Sequence, residues 1–459
     1  MQSGLSAADI ATSVDLVVRL GAIMLSAGSP TDDVERSMSV AARALGLDRV
    51  TAAVSFGSIT LSYTAGPDGQ RATAMQMVRE RGSDYRRLSA AARLVNELRT
   101  GGADRVRAET EVGRIEQLGS AWPEPISSLA QAVSAAASTL LFGGSALDAL
   151  ATLLIGVIVQ PIIGRVDGSG LPPFFRSLIG PLISSLLVAA AVGFGAPINT
   201  GLVLTGSLLR FLPGAALVAG MRDLIDQSII SGSARLAEAL FLGAAVASGI
   251  AIGTSVAGLF GIVLTVTTAG TQNWQFVVQI IAAGIACGAW AVRLGEPRFA
   301  LLTASLLGAL GWSIDLGLLS SGFGEVPATA AAGLVVGGLG RVLARRRQAP
   351  VVLWVVPASL PLLPGLLIVG GMLASDGVSG LLLLSTAVFT GLALGASIAF
   401  GDIVVQTLRQ VREEIIQPVI IQPVVQVVGS RVSSVFGSRG QPSANASARG
   451  SSETDTPDD

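Results

Sequence analysis

Two matching breakers interrupt otherwise apolar stretches of this chain. They are Leu212-Pro213-Gly214 and Leu363-Pro364-Gly365. Proline lacks an N–H and clashes with the turn before it, and glycine adds backbone freedom. Inside an apolar helix the pair releases carbonyls and amides, which lipid tolerates only where they face protein or a wet cavity. Pro213, Gly214, Pro364 and Gly365 are therefore candidates for contact with a small solute, an ordinary kink being the plainer reading of either break alone. Arg210 stands one turn before Pro213. A charge at such depth is costly, and a guanidinium can grip a carboxylate through two parallel hydrogen bonds; the alternative is an Arg that snorkels to the interface. Asn199 and Thr205, with Gln160, offer hydrogen bonds to the same solute or act as interhelical glue. Asp223, Asp402 and Asp148 lie within or at the ends of apolar runs, as do Asp226 and Asp315. Each can take up a proton, and Asp223 and Asp402 read equally well as solvated helix ends.

Other chemistries are excluded by composition. The 459 residues contain no His and no Lys, so all 30 basic residues are Arg. His-based catalysis and His-ligated metal are ruled out. A lone Cys287 permits neither an internal disulfide nor a Cys-cluster metal site. The Gly-rich stretches lack the Gly-Lys-Ser/Thr ending of a phosphate loop. No nucleophile–base spacing stands out. Neither an enzyme, a cofactor, a metal nor a nucleic-acid partner is expected.

The elements that must carry these residues are mostly membrane helices. Hydrophobic residues make up 51% and charged residues 13%, against about 25% charge in soluble chains. Residues 1–125 are the exception, with 14 Arg and 15 Asp or Glu. They read as a small soluble α+β domain: a helix over 6–27, a second from Thr31 as N-cap to Gly46, strands at 49–56, 58–64 and 70–78, and helices at 84–100 and 104–118. Asp9, Asp15 and Arg19 interrupt the first helix, so it is no signal peptide. Ten candidate spans follow, at 127–143, 146–164, 174–194, 199–219, 236–264, 275–292, 299–319, 326–344, 351–373 and 379–407. With the N-terminus in the cytoplasm, every Arg between spans falls inside: Arg165, Arg176, Arg222, Arg235, Arg293, Arg298, Arg341 and Arg345 to Arg347. Both termini are then cytoplasmic. Small-xxx-small seams, such as Gly249/Gly253 and Gly333/Gly337, suit close helix packing. Residues 427–459 read as a disordered tail, and a strip at 416–424 repeats Ile-Gln-Pro-Val.

The breakers belong to an internal repeat. Leu212 to Met221 reads LPGAALVAGM and Leu363 to Met372 reads LPGLLIVGGM. Ala149-Leu150-x-Thr152 recurs as Ala300-Leu301-x-Thr303 at the same offset, and Ser231-Gly232 recurs as Ser379-Gly380 after a three-residue deletion. The motif falls in the fourth span and again in the ninth. Each half, 126–265 and 275–408, thus holds five spans. Five is odd, so the second half is inverted, a plan found in secondary transporters.

Ala27-Gly28-x-x-Thr31-x-x-Val34-Glu35, Leu141-Phe142-Gly143-Gly144-Ser145, Arg222-Asp223-Leu224, Ala234-Arg235-Leu236 and Leu307-Gly308-Ala309-Leu310-Gly311-Trp312 together resemble the threonine/serine exporters of the ThrE type. The resemblance runs to about residue 410. It implies export of L-threonine and L-serine across the bacterial inner membrane, driven by the proton motive force, with about ten spans. Related two-chain exporters handle dicarboxylates such as succinate, so that substrate class stays open, as do a non-transporting membrane sensor and a homo-oligomer. If Arg210 clamps the substrate carboxylate, Arg210→Ala abolishes threonine efflux from cells; unchanged efflux removes it from the site.

Overall fold

The computed structural model describes residues 6–64, 71–78, 82–264, 275–374 and 376–411. The expected tail at 427–459, the strip at 416–424 and the loop at 266–274 lie outside them.

Seven elements form the N-terminal part: α1 (Ala7–Ser26), α2 (Thr31–Ala44), β1 (Val50–Val54), β2 (Ser58–Thr64), β3 (Arg71–Met77), α3 (Tyr85–Arg99) and α4 (Arg105–Glu116). A capping box starts α1: Asp9 N donates to Ser6 Oγ at 3.1 Å and Ser6 N to Asp9 Oδ2 at 3.3 Å. Apolar residues at helical spacing, Val14, Val17 and Leu20 among them, are buried on its inner face. At Gly21 a Cβ would lie 2.6 Å from Met38 Sδ, so α1 and α2 cross at this glycine. The expected stop after α2 holds, with Gly46 at φ +84. Its start differs from expectation: Pro30 is the N-cap, and Thr31 is the first helical residue. The strands pair antiparallel in the order β1-β2-β3, with Ile59 opposite Val54 and Met77 opposite Ser58. Ile59 and Leu61 are fully buried, and Ile59 meets α1 near Gly21.

Twelve helices follow: α5 (Glu124–Leu141), α6 (Ala146–Asp167), α7 (Pro173–Gly193), α8 (Thr200–Leu208), α9 (Gly214–Ile225), α10 (Ile229–Leu259), α11 (Gln275–Arg293), α12 (Arg298–Ser320), α13 (Glu325–Arg347), α14 (Val352–Ala358), α15 (Gly365–Met372) and α16 (Gly377–Val411). Seven of them are long and apolar enough to cross a membrane: α6, α7, α10 to α13 and α16. The bent pairs α8/α9 and α14/α15 raise the number to nine. This is a polytopic helical membrane protein. The tenth expected span, 127–143, is a helix, α5, but it is not among the nine. Its polarity explains why. Ser134 Oγ donates to Ala286 O at 2.9 Å, and the Thr139 and Thr152 hydroxyls lie 2.8 Å apart. These polar groups face α11 and α6, so α5 is covered by protein where a lone span would meet lipid. The fifth expected span starts earlier, at Ile229, because Ser231-Gly232 lies within the helix.

Glycines set the closest helix contacts. On α10, Gly249 and Gly253 lie against α7, a Cβ at Gly249 falling 2.4 Å from Leu178 O. On α13, Gly333 and Gly337 lie against α16, a Cβ at Gly337 falling 2.1 Å from Ile398 O. The buried cluster beneath α1 to α4 continues through Trp354 and Leu363 to Ile398, so the N-terminal part shares one core with the membrane helices. A side chain at Gly337 must push α16 away. Gly337→Val should therefore cost about 1–3 kcal/mol, read as a lowered melting temperature in detergent, whereas Gly317→Ala, which meets nothing within 4 Å, should leave it unchanged.

Candidate functional site

The two breakers adopt one backbone conformation. After α8, a 3-10 turn (Leu209–Phe211) leads to Leu212 at φ −70, ψ 132 and Pro213 at φ −80, ψ 49. After α14, a 3-10 turn (Leu360–Leu362) leads to Leu363 at φ −68, ψ 137 and Pro364 at φ −75, ψ 47. Gly214 N donates to Leu212 O at 2.8 Å, and Gly365 N to Leu363 O at 2.7 Å, closing an inverse γ-turn around each proline. The helix axes bend by 53° and 42°. Each break then covers the other. A Cβ on Gly214 would lie 2.7 Å from Leu363 Cδ1; one on Gly365 would lie 2.9 Å from Leu209 Cδ1 and 3.5 Å from Leu212 Cδ1. A side chain at either glycine would have to displace the leucine ends packed on it.

A cavity lies on each side of the crossing. The larger, about 300 Å³, is bounded by Pro213 and Gly214, by Trp290 and Leu294 at the end of α11, by Arg222 and Asp402, and by Pro30 and Tyr85 of the N-terminal part. The smaller, about 190 Å³, is bounded by Leu363 and Pro364, by Gln279 near the start of α11, and by Trp312, Asp315 and Thr390. Gln279 and Leu294 are roughly 22 Å apart at 1.5 Å per residue, so the cavities open toward opposite ends of the same helices. Leu212 and Leu363 form the partition.

An ionic network closes the larger cavity's end. Asp402 on α16 binds Arg222 of α9 at 2.9 Å and Arg341 of α13 through Oδ2 at 2.6 Å. Arg222 reaches on to Asp33 of α2 at 3.3 Å, and Asp33 pairs with Arg36 at 2.5 Å. Asp223, fully buried, accepts from Thr31 N and Thr31 Oγ1, both at 3.0 Å, and pairs with Arg235 at 2.8 Å. It thereby serves the positive end of α2, the task expected of the Thr31 side chain. Arg235 also donates to Ser29 O at 3.1 Å. Burial pushes the Asp33 carboxyl up, but the guanidiniums of Arg222, Arg36 and Arg341 outweigh it and hold its pKa below the ordinary value.

The remaining expected site residues are dispersed. Arg210 donates to Gln160 Oε1 and lies 4.6 Å from the Phe211 ring centroid; it borders neither cavity. Thr205 Oγ1 is spent on Gly201 O at 2.7 Å, although its methyl faces Gly365. Asn199 caps α8 through Leu202 N. Asp148 accepts from Ser145 N and Oγ, each at 2.8 Å, and from Asn199 N at 2.6 Å, joining the start of α6 to that of α8. Arg222, Arg235 and Arg341, read from sequence as loop charges, are largely buried in the network. The available signal was the acids themselves, since a buried carboxylate requires a partner. Trp312 was given no role in the site from sequence, and Asp315 was read only as one of the acids able to take up a proton.

Glu296 is a further buried acid. It sits in the turn between α11 and α12, 1% exposed, and neither carboxylate oxygen has a hydrogen-bond partner among the described residues. Tyr85 N, at the start of α3, donates to Leu294 O of this turn at 3.0 Å. Burial raises the Glu296 pKa well above the ordinary 4.5. The folded protein keeps the proton where the unfolded chain has lost it, so stability falls as pH rises above about 4.5. Glu296→Gln should flatten the fall in melting temperature between about pH 5 and pH 8; an unchanged slope in purified protein would show that this carboxyl does not cause it.

Comparison with known proteins places the chain. A family described as "Putative threonine/serine exporter" matches residues 15–257, and one described as "Threonine/Serine exporter, ThrE" matches residues 279–408. A "Probable threonine/serine exporter" of Mycobacterium tuberculosis is 32% identical over 86% of this chain and 77% of its own length. A "Threonine/serine exporter" of Corynebacterium glutamicum is 25% identical over 87% and 84%. No solved structure matches. With both halves matched in order by these descriptions, the chain belongs to the threonine/serine exporter family.

Proposed function

We propose that this chain exports L-threonine and L-serine across the bacterial cytoplasmic membrane as a secondary active transporter driven by the proton motive force. The observation that carries the reading is the crossing of the two breaks, with one cavity on each side. A solute that passes from one cavity to the other must pass the partition of Leu212 and Leu363, and unwound backbone at Pro213 and Pro364 is what it meets there. A rocking of one half against the other exchanges which cavity communicates with the crossing.

Ten spans in two inverted five-helix halves suit this mechanism, α5 being the first span of the first half. The inversion is supported by packing as well as by sequence. Gly220 on α9 lies against Leu236 of α10, and its counterpart Gly371 on α15 lies against Leu384 of α16. Gly253 on α10 lies against Leu182 of α7, and Gly401 on α16, its counterpart after the three-residue deletion, lies against Leu334 of α13. Both termini are cytoplasmic on the Arg pattern, which puts the larger cavity and the N-terminal part on the cytoplasmic side.

The ionic network is then the inner gate. Asp402 joins the second half to Arg222 of the first, and Arg222 joins both to the N-terminal part. Protonation of Asp402 would release two guanidiniums at once, so it is the coupling acid of choice among the three expected. Asp223 and Asp148 are held by donors and serve as anchors. The decisive measurement is efflux from proteoliposomes loaded with threonine, serine or succinate, with and without a proton gradient. Threonine and serine should leave faster with the gradient, and Asp402→Asn should abolish that stimulation. Succinate efflux without amino-acid efflux, or no flux of either, would overturn the reading.

A further inference from the structure

We propose that the 190 Å³ cavity is a binding site for the ammonium end of a small hydroxylated zwitterion, with Asp315 as its counter-charge. The inference rests on the transport reading above and adds the chemistry of recognition on the side away from the N-terminal part.

Asp315 lies on α12 and is 3% exposed. One oxygen accepts from Thr329 Oγ1 at 2.9 Å, and among the described residues no other hydrogen bond and no ion pair reaches this carboxylate. Every other buried Asp described above has Arg partners or backbone amides. A carboxylate at this depth without a counter-charge is expensive, and an ammonium group entering the cavity would supply one.

The surroundings are those of a site. Three polar atoms on the cavity wall have no hydrogen-bond partner among the described residues: Gln279 Oε1, Trp312 Nε1 and Thr390 Oγ1. Their side chains are only 4%, 8% and 2% exposed. An unpaired buried polar atom costs about 1–3 kcal/mol, so three around one cavity point to an occupant that satisfies them. Their chemistry is mixed. Gln279 Oε1 accepts, Trp312 Nε1 donates, and the Thr390 hydroxyl does either. Asp315 and Gln279 fit the ammonium donors of a serine-like ligand; Trp312 and Thr390 fit its carboxylate and hydroxyl oxygens. Trp312 is held in place edge-on against Phe142, with centroids 6.2 Å apart. The wall includes a second acid, Glu325, and no Arg. A dicarboxylate finds no cation there and two like charges, whereas a zwitterion finds a counter-charge.

Trp312 also provides a readout independent of transport. L-serine titrated into the purified full chain should shift tryptophan emission, and Trp312→Phe should remove the shift. Succinate and 3-hydroxypropionate, which lacks the ammonium group, should produce none. Asp315→Asn should weaken serine binding about tenfold or more, as expected for loss of a charged hydrogen-bonding partner, and Asp315→Glu should recover part of it. Elution volume and melting temperature identify a variant that misfolds, in which case the Glu variant and the 3-hydroxypropionate comparison decide. Parent-like serine affinity in a folded Asp315→Asn protein overturns the proposal. So does a variant that keeps its serine affinity while efflux loses its dependence on the proton gradient, which makes Asp315 a proton carrier. Serine binding at Trp312 without any amino-acid efflux would count against the transport reading alone.

Discussion

The constraint that organises this protein is that unwound backbone in a membrane must be hidden. Pro213 and Pro364 each remove a donor, and each helix loses its regular hydrogen bonding for about one turn. The γ-turn at each proline recovers one bond. Protein must cover the remaining polar backbone, and the cover for each break is the other break. Leu363 lies on Gly214, and Leu209 and Leu212 lie on Gly365. This mutual cover makes α8/α9 and α14/α15 cross, with a cavity on each side of the crossing. The cavities are thus a consequence of how the breaks are protected.

The two ends of the molecule solve the problem of buried charge differently. On the side of the N-terminal part, the acids of the network have a guanidinium or an amide, Asp402 with Arg222 and Arg341 and Asp223 with Arg235 and Thr31, while Glu296 stays outside it. Such a network is costly to break by removing one partner, about 3–5 kcal/mol for a buried pair, and it ties three parts of the chain together. At the other end Asp315, Gln279, Trp312 and Thr390 are buried without such completion. An end tied by ion pairs and an end with an unsatisfied pocket are what a carrier needs if solute is to be bound on one side while the other is shut.

Much of the architecture was legible in sequence, for identifiable reasons. The long apolar runs, the glycine seams and the stop at Gly46 are local signals and recur in the structure. The LPG repeat located the crossing because proline acts on backbone whatever its surroundings. What sequence could not supply was which buried charges meet. Arg222 lies 180 residues from Asp402, and Thr31 lies 192 residues from Asp223, so only the fold pairs them. Arg210 lies deep in an apolar run, as read, and only the fold shows that it meets Gln160 and Phe211 there. For α5, composition and fold diverge because its Ser and Thr residues point into protein, a fact that a hydropathy average cannot register.

Backbone and side chains follow different rules across the repeat. The turns at Pro213 and Pro364 agree within about 5° in both dihedrals at each Pro, yet the positions that carry charge do not correspond. Arg222 and Asp223 align with Leu373 and Ala374, and Asp315 aligns with Gly164. The ionic closure therefore draws on both halves and the N-terminal part, through Arg222, Asp402, Arg341 and Asp33, whereas Asp315, Gln279, Trp312 and Thr390 of the polar pocket all come from the second half. On the inverted-repeat reading, a near-symmetric backbone lets the crossing rock either way at similar energy. The asymmetric side chains then decide which end is held shut and which end recognises solute. The unequal placement of charge on an evenly built frame is what makes the two ends differ, while the gradient sets the direction of net flux.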